Sequence, residues 1–182
     1  MANKPVPIHY VCTHEEALDL IDKHKNFWVS NCGCREERGK CHRSRIDVCL
    51  MFRGDIGASG SGLKKVSRRF VDGLFKEVKD KNLVARPFRN DKTRKISEGI
   101  CFCCDDCCGY FLDPHEKCDK GKYIEKTDRD LCANCGNCVE VCYFKVRIMD
   151  DGELKIISRK CYGCGLCSSV CPGKCIKMEK RK

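Results

Sequence analysis

Residues 132–142 read CANCGNCVEVC and residues 161–172 read CYGCGLCSSVCP. Both contain C-x2-C-x2-C-x3-C, and the second begins 29 residues after the first. Three thiols at two-residue gaps can wrap three corners of an iron-sulfide cubane, while the fourth cysteine, opening the next helix, points away from its own loop. Zinc is the competing reading, but its tetrahedral sites are normally built from two cysteine pairs across a longer spacer. The repeat reads as iron-sulfur, and the domain must contain both halves.

The flanking residues agree. Residues 145–149 and 153–157 surround Asp150-Asp151-Gly152, a hairpin signal in which Asp-Gly supplies the positive φ angles of a tight turn. Gly136 and Gly165 follow the second cysteine of each loop, where a missing side chain lets backbone N–H groups approach sulfide. These motifs resemble the bacterial two-cluster [4Fe-4S] ferredoxins over about residues 123–180. The resemblance implies a pseudo-twofold βαββαβ domain that transfers electrons. It also implies crossed ligation, with one cluster on Cys132, Cys135, Cys138 and Cys171 and the other on Cys161, Cys164, Cys167 and Cys142. Tyr143 departs from the family, which often has proline after the fourth cysteine, whereas Pro172 keeps it. Cys175 lies outside the motif and reads as a small buried residue.

Upstream the pattern is less regular. Thr13 and Glu16 form a capping-box signature before a helix over about residues 14–27, and Ser67 can cap a second helix whose apolar face is Phe70, Val71, Leu74, Phe75 and Val78. Residues 83–88 suggest a short strand, and the glycine-rich run over 54–62 lacks the strand-to-helix setting of a phosphate loop. Cys32, Cys34, Cys41 and Cys49 lie in a charged loop, and CFCCDDCC (101–108) contains Cys101, Cys104 and Cys107 at C-x2-C-x2-C spacing. A third metal site drawn from Cys101, Cys104, Cys107, Cys34 and Cys41 is expected. Its occupant is left open between a further [4Fe-4S] cluster, zinc with His42 as a candidate ligand, and no metal. Adjacent cysteines such as Cys103-Cys104 and Cys107-Cys108 cannot all serve one cubane.

The chain is expected to be α+β, with a boundary near residue 120: residues 1–120 form a small helical, Cys-rich domain stapled by metal, and residues 121–182 the ferredoxin-like domain. Hydrophobic residues make up 42% of the 182 positions, but 20 of them are cysteines, so apolar burial alone is a weak stabiliser here. Residues 1–100 carry 21 Lys and Arg against 13 Asp and Glu, and residues 101–182 carry 15 against 13. Each oxidised cluster with four thiolates adds about −2, so a loaded C-terminal half is acidic beside a basic N-terminal half. That asymmetry suits docking to a redox partner such as a flavoprotein or metalloenzyme.

No window approaches a membrane span, and MANKPVPIHYVCTHEE lacks an apolar leader core, which favours a cytoplasmic, oxygen-sensitive protein of an anaerobic host. The leading function is a ferredoxin-like carrier or electron-transfer subunit. The alternative is an iron-sulfur oxidoreductase acting at an N-terminal cluster or cysteine, although no catalytic motif of another kind is present. A metal-dependent nucleic-acid-binding regulator ranks third. Its positive face would be Lys64, Lys65, Arg68, Arg69, Arg86, Arg89, Lys92, Arg94 and Lys95, with no aromatic residues interleaved.

Overall fold

The computed structural model describes residues 6–113 and 117–182. The N-terminal elements are β1 (His9–Tyr10), α1 (His14–Asp22), β2 (Phe27–Ser30), α2 (Gly33–Arg38), β3 (Cys49–Met51), β4 (Lys64–Val66), α3 (Arg68–Asp80), β5 (Val84–Arg89), β6 (Ser97–Cys103), α4 (Gly109–Leu112) and β7 (Cys118–Asp119). The seven strands form one sheet in the order β4-β2-β3-β6-β5-β1-β7. Its pairs are antiparallel except β1 with β7.

This sheet corrects the expectation of a small helical domain. Runs such as FWVS and CLM are too short to show a period of two, and their partners are distant in sequence: Leu50 pairs with Ile100, and Val29 with Lys64. The first helix stops at Asp22 instead of reaching Phe27, because Phe27, Trp28 and Val29 belong to a strand.

The two long helices begin as their caps dictate. The Thr13 hydroxyl accepts from the Glu16 N–H and the Glu16 carboxylate accepts from the Thr13 N–H, while the Ser67 hydroxyl accepts from the Phe70 N–H. His14 of α1 meets the Phe75 ring of α3 edge-on at 5.8 Å. Ala17 and Ile21 from α1, and Val71, Leu74, Phe75 and Val78 from α3, share one core with Leu50, Val84, Ile100 and Phe102 of the sheet.

The C-terminal elements are β8 (Tyr123–Thr127), α5 (Asn137–Glu140), β9 (Arg147–Asp150), β10 (Glu153–Ile156), α6 (Leu166–Ser169) and β11 (Ile176–Lys180). Strands β8 and β11 pair antiparallel from Tyr123 with Lys180 to Thr127 with Ile176, and β9 and β10 form the hairpin. Asp151 and Gly152 at its tip have φ of 48° and 79°, as a primed turn requires. No helix among the described residues is long and apolar enough to cross a membrane.

The two parts are packed together. Lys122 Nζ pairs with Glu16 Oε1 at 3.2 Å and Lys120 Nζ donates to the Arg159 carbonyl at 2.6 Å. The Phe144 and Tyr162 rings stack at 4.5 Å, with Tyr110 edge-on to both. The N-terminal core also continues into Val141, Tyr143 and Leu166.

Candidate metal centres

Each C-x2-C-x2-C loop bends around a cavity. Gly136 and Gly165, both at φ 80°, end the loops and start α5 and α6, which turns the chain sharply enough to bring the flanking thiols onto one wall. One cavity is lined by Cys132, Cys135, Cys138, Cys171 and Cys175, and the other by Cys161, Cys164, Cys167 and Cys142. Each therefore takes three thiols from its own loop and one motif thiol, Cys171 or Cys142, from the other repeat, with Cys175 as a fifth in the first cavity. The remaining walls are mainly apolar or glycine, including Leu131, Leu154 and Ile176 in the first and Val141, Val146 and Met178 in the second. At least four sulfur donors in a mainly apolar hollow are the donor chemistry that an iron-sulfur cubane requires. Burial pushes the free Cys164 and Cys167 thiols up, Cys167 to about 12, so metal binding there must release protons.

Between the cavities stands Arg147, a residue that the motif analysis did not single out. Its Nη1 donates to Cys138 Sγ of the first set at 3.4 Å, while the side chain also lines the second cavity. Nη2 donates to Glu125 Oε2 at 2.6 Å and to Thr127 Oγ1 at 2.8 Å. Both charged side chains are nearly inaccessible, 1% exposed for Arg147 and 3% for Glu125. Gly163, inside the second loop at φ 80°, was missed as well: a Cβ there would run into the Tyr123 carbonyl. Tyr143, the departure from the family pattern, is buried with Arg43 over its ring at 4.8 Å and Phe111 edge-on at 5.9 Å. Its side chain packs the two parts together. Cys175 is buried with its sulfur 3.4 Å from that of Cys171.

The N-terminal thiols are sorted differently from the expected five-cysteine site. Cys41, Cys104 and Cys107 converge, their sulfurs lying within 4.8 Å of one another. Cys101 instead lies 3.8 Å from Cys49 and 3.8 Å from His9 Nε2. Cys34 hydrogen-bonds with Cys108 and Cys32, and those bonds hold it far toward the thiolate. The reason is the strand: Cys101 lies within β6, so three residues of extended chain carry Cys104 about 10 Å away and toward the opposite face. A C-x2-C pair converges in a loop and diverges in a strand. His42 is absent from the thiol group; its N–H donates to Asp106 Oδ2 at 2.7 Å.

The adjacent cysteines are divided by the turn at 104–108, which Cys108 N–H closes onto the Cys104 carbonyl at 3.3 Å. The inner pair, Cys104 and Cys107, meets Cys41, whereas the outer pair, Cys103 and Cys108, accepts from Arg86 Nη1 at 3.7 and 3.1 Å. The Cys108 hydrogen bond, then Arg86 and Arg35, bring the Cys103 thiol down to about 7 against the cost of burial.

The nine basic residues considered for nucleic acid do not make one free face. Arg86 is buried, Arg68 pairs with Asp22 and Asp72, Arg89 with Asp119 and Arg94 with Asp91.

A family model described as a 4Fe-4S dicluster domain matches residues 125–178. Among curated proteins, the pyruvate synthase subunit PorD of Methanothermobacter marburgensis is 42% identical over 55 residues, which cover 30% of this chain and 64% of that one. Ferredoxin-3 of Nostoc sp. is 32% identical over 73 residues, 30% of this chain and 75% of the relative. A ferredoxin of Pyrobaculum islandicum is 38% identical over 50 residues, 27% and 47% of the two chains. The chain thus spans less than two thirds of the length of PorD and of the Pyrobaculum protein.

Proposed function

Because the chain belongs, through its C-terminal domain, to the dicluster [4Fe-4S] ferredoxin family, whose chemistry is iron-sulfur electron transfer, we propose that it moves electrons through two clusters to or from a redox partner protein. Cys132, Cys135, Cys138 and Cys171 hold one cluster, and Cys161, Cys164, Cys167 and Cys142 hold the other. The observation that carries this reading is the crossed composition of the two thiol-lined cavities, which is the arrangement a shared dicluster domain needs. When bound, each cluster supplies a one-electron acceptor and donor site.

The protein's own residues set the conditions. Val146 N–H lies 3.4 Å from Cys142 Sγ and Arg147 Nη1 3.4 Å from Cys138 Sγ, and both donors favour the more negative, reduced state. Apolar walls exclude water. Cys135 is the exposed cysteine of the chain, beside exposed Leu131 and near Met149, which makes this edge the place where a partner comes closest to the first cluster. The PorD relative is a subunit of pyruvate synthase, which supports a role as the electron-transfer subunit of a redox complex as well as a free carrier. Twenty free thiols suit a reducing, cytoplasmic setting and an oxygen-sensitive protein.

The test is iron and acid-labile sulfide per chain on anaerobically purified protein, with low-temperature EPR after dithionite reduction. About eight of each is expected from the C-terminal domain; fewer than about four iron with stoichiometric zinc in its place would sink the reading.

A further inference from the structure

Among the described residues, one group of three metal-ligating side chains converges within 4.8 Å, and it lies outside the C-terminal cavities: Cys41, Cys104 and Cys107. The Cys41–Cys104 and Cys104–Cys107 sulfur distances are 3.7 and 3.5 Å. Ligand sulfurs around one tetrahedral ion with bonds of about 2.3 Å stand about 3.8 Å apart. Thiolates on the corners of a cubane are spread around the cluster, as the cavities of the C-terminal sets allow and this tight group does not.

The neighbouring residues hold that spacing. Cys104 and Cys107 sit on the turn closed by Cys108 N–H, and the two aspartates between them grip the loop that carries Cys41. Arg43 Nε donates to Asp105 Oδ1 at 2.7 Å, and His42 N–H donates to Asp106 Oδ2 at 2.7 Å.

The second observation is Arg35, which is 2% exposed. Its Nη1 donates to the Arg45 carbonyl at 2.9 Å, and its Nη2 to the Phe102 carbonyl at 3.1 Å and toward Cys104 Sγ at 3.8 Å. Among the described residues its Nε has no partner, and no carboxylate reaches ion-pair distance of its guanidinium. A buried cation needs a compensating negative charge, which neutral thiols do not supply. A divalent ion on three thiolates carries one net negative charge, which matches the single positive charge of Arg35.

The geometry points to a mononuclear centre in which Cys41, Cys104 and Cys107 bind one thiophilic divalent ion of the zinc class, with Arg35 as the buried counter-charge. Each S–H passes its proton to solvent as its sulfur–metal bond forms, with no change of oxidation state. Among the described residues no fourth cysteine, histidine or carboxylate joins the group, so a non-protein ligand completes the tetrahedron. Cys103 and Cys108, turned toward Arg86, are not part of this centre.

The test counts zinc, iron and acid-labile sulfide in the whole protein after anaerobic purification, in the wild type and in Cys41→Ala, Cys104→Ser and Cys118→Ser. The expected result is about one ion per chain not matched by sulfide, zinc or unpaired iron, lost in Cys41→Ala and Cys104→Ser and kept in Cys118→Ser. Iron and sulfide in equal amounts stay constant throughout, so loss of the C-terminal clusters would show separately. The inference is overturned if the wild type has no such ion, if the ion survives both ligand replacements, or if Cys41→Ala removes iron and sulfide together. Should Cys104→Ser fail to fold, Cys41→Ala, at a partly exposed position, and the wild-type count still decide.

Discussion

Replacing Arg147 with Met should lower the reduction potential of the cluster held by Cys138. The guanidinium is 1% exposed and 3.4 Å from the Cys138 sulfur, so its charge is only weakly screened by water. An added electron spread over the cluster sits roughly 7 Å from that charge, and at an effective dielectric constant of about 20 the interaction is about 2 kcal/mol. For one electron this corresponds to a potential shift of about 100 mV. Losing the N–H···S contact acts in the same direction.

Glu125 makes the test selective. In Arg147→Met it keeps its charge, 3% exposed, with only Thr127 Oγ1 and Ser158 Oγ still donating to it, and the protein should lose about 3–5 kcal/mol of stability. Arg147→Met combined with Glu125→Gln removes both charges of the pair. The double variant should therefore recover most of the potential and much of the stability. Anaerobic potentiometric titration followed by EPR, with urea unfolding on the same samples, reads both quantities. An unchanged potential in Arg147→Met, or an equal drop in the double variant, would refute the electrostatic argument.

Two other changes test the site and the fold around it. Gly163→Ala places a Cβ against the Tyr123 carbonyl at a backbone φ of 80°, so the second loop cannot close; iron should fall by about half, and full iron content in this variant would show that the loop tolerates a side chain. Burial holds the His14 imidazole below its ordinary value of 6.5, and its Nε2 contact with the Leu83 carbonyl only partly offsets this. The unfolded chain thus takes up the proton first, so stability that is full above 6.5 falls as pH drops toward the lower folded value. Urea midpoints at pH ~7.5 and ~5.5 should differ less in His14→Gln than in wild type, and an identical pH dependence would remove His14 as the cause.

The C-terminal third was legible because its ligands, turns and strands are local. C-x2-C-x2-C places three thiols within one loop, and Asp151-Gly152 announces the hairpin. Capping residues were equally readable, since Thr13 and Ser67 act within one helical turn. The sheet of the N-terminal part was not, because β2 pairs with β3 and β4, and β3 with β6, across as many as 50 residues, for example Leu50 with Ile100. The same blindness misled the reading of CFCCDDCC. Cysteine spacing has meaning only once the backbone is known: Cys101 belongs to a strand and Cys104 to the turn after it, so equal gaps lead to different neighbours.

What spacing could not supply, charge does. Among the described residues the three largest fully buried side chains are arginines, Arg35, Arg86 and Arg147, and each donates to a cysteine sulfur. A sequence offers no reason to place these three among its many surface cations. Water is a far better solvent for a guanidinium than a protein interior, so burying Arg35 beside thiols, with no carboxylate in ion-pair reach among the described residues, is costly while the thiols stay protonated. Were the thiols beside it metal-bound and negative, the same position would become favourable. On the proposed three-thiolate centre, Arg35 is therefore where metal would supply stabilisation that the modest aliphatic content leaves short.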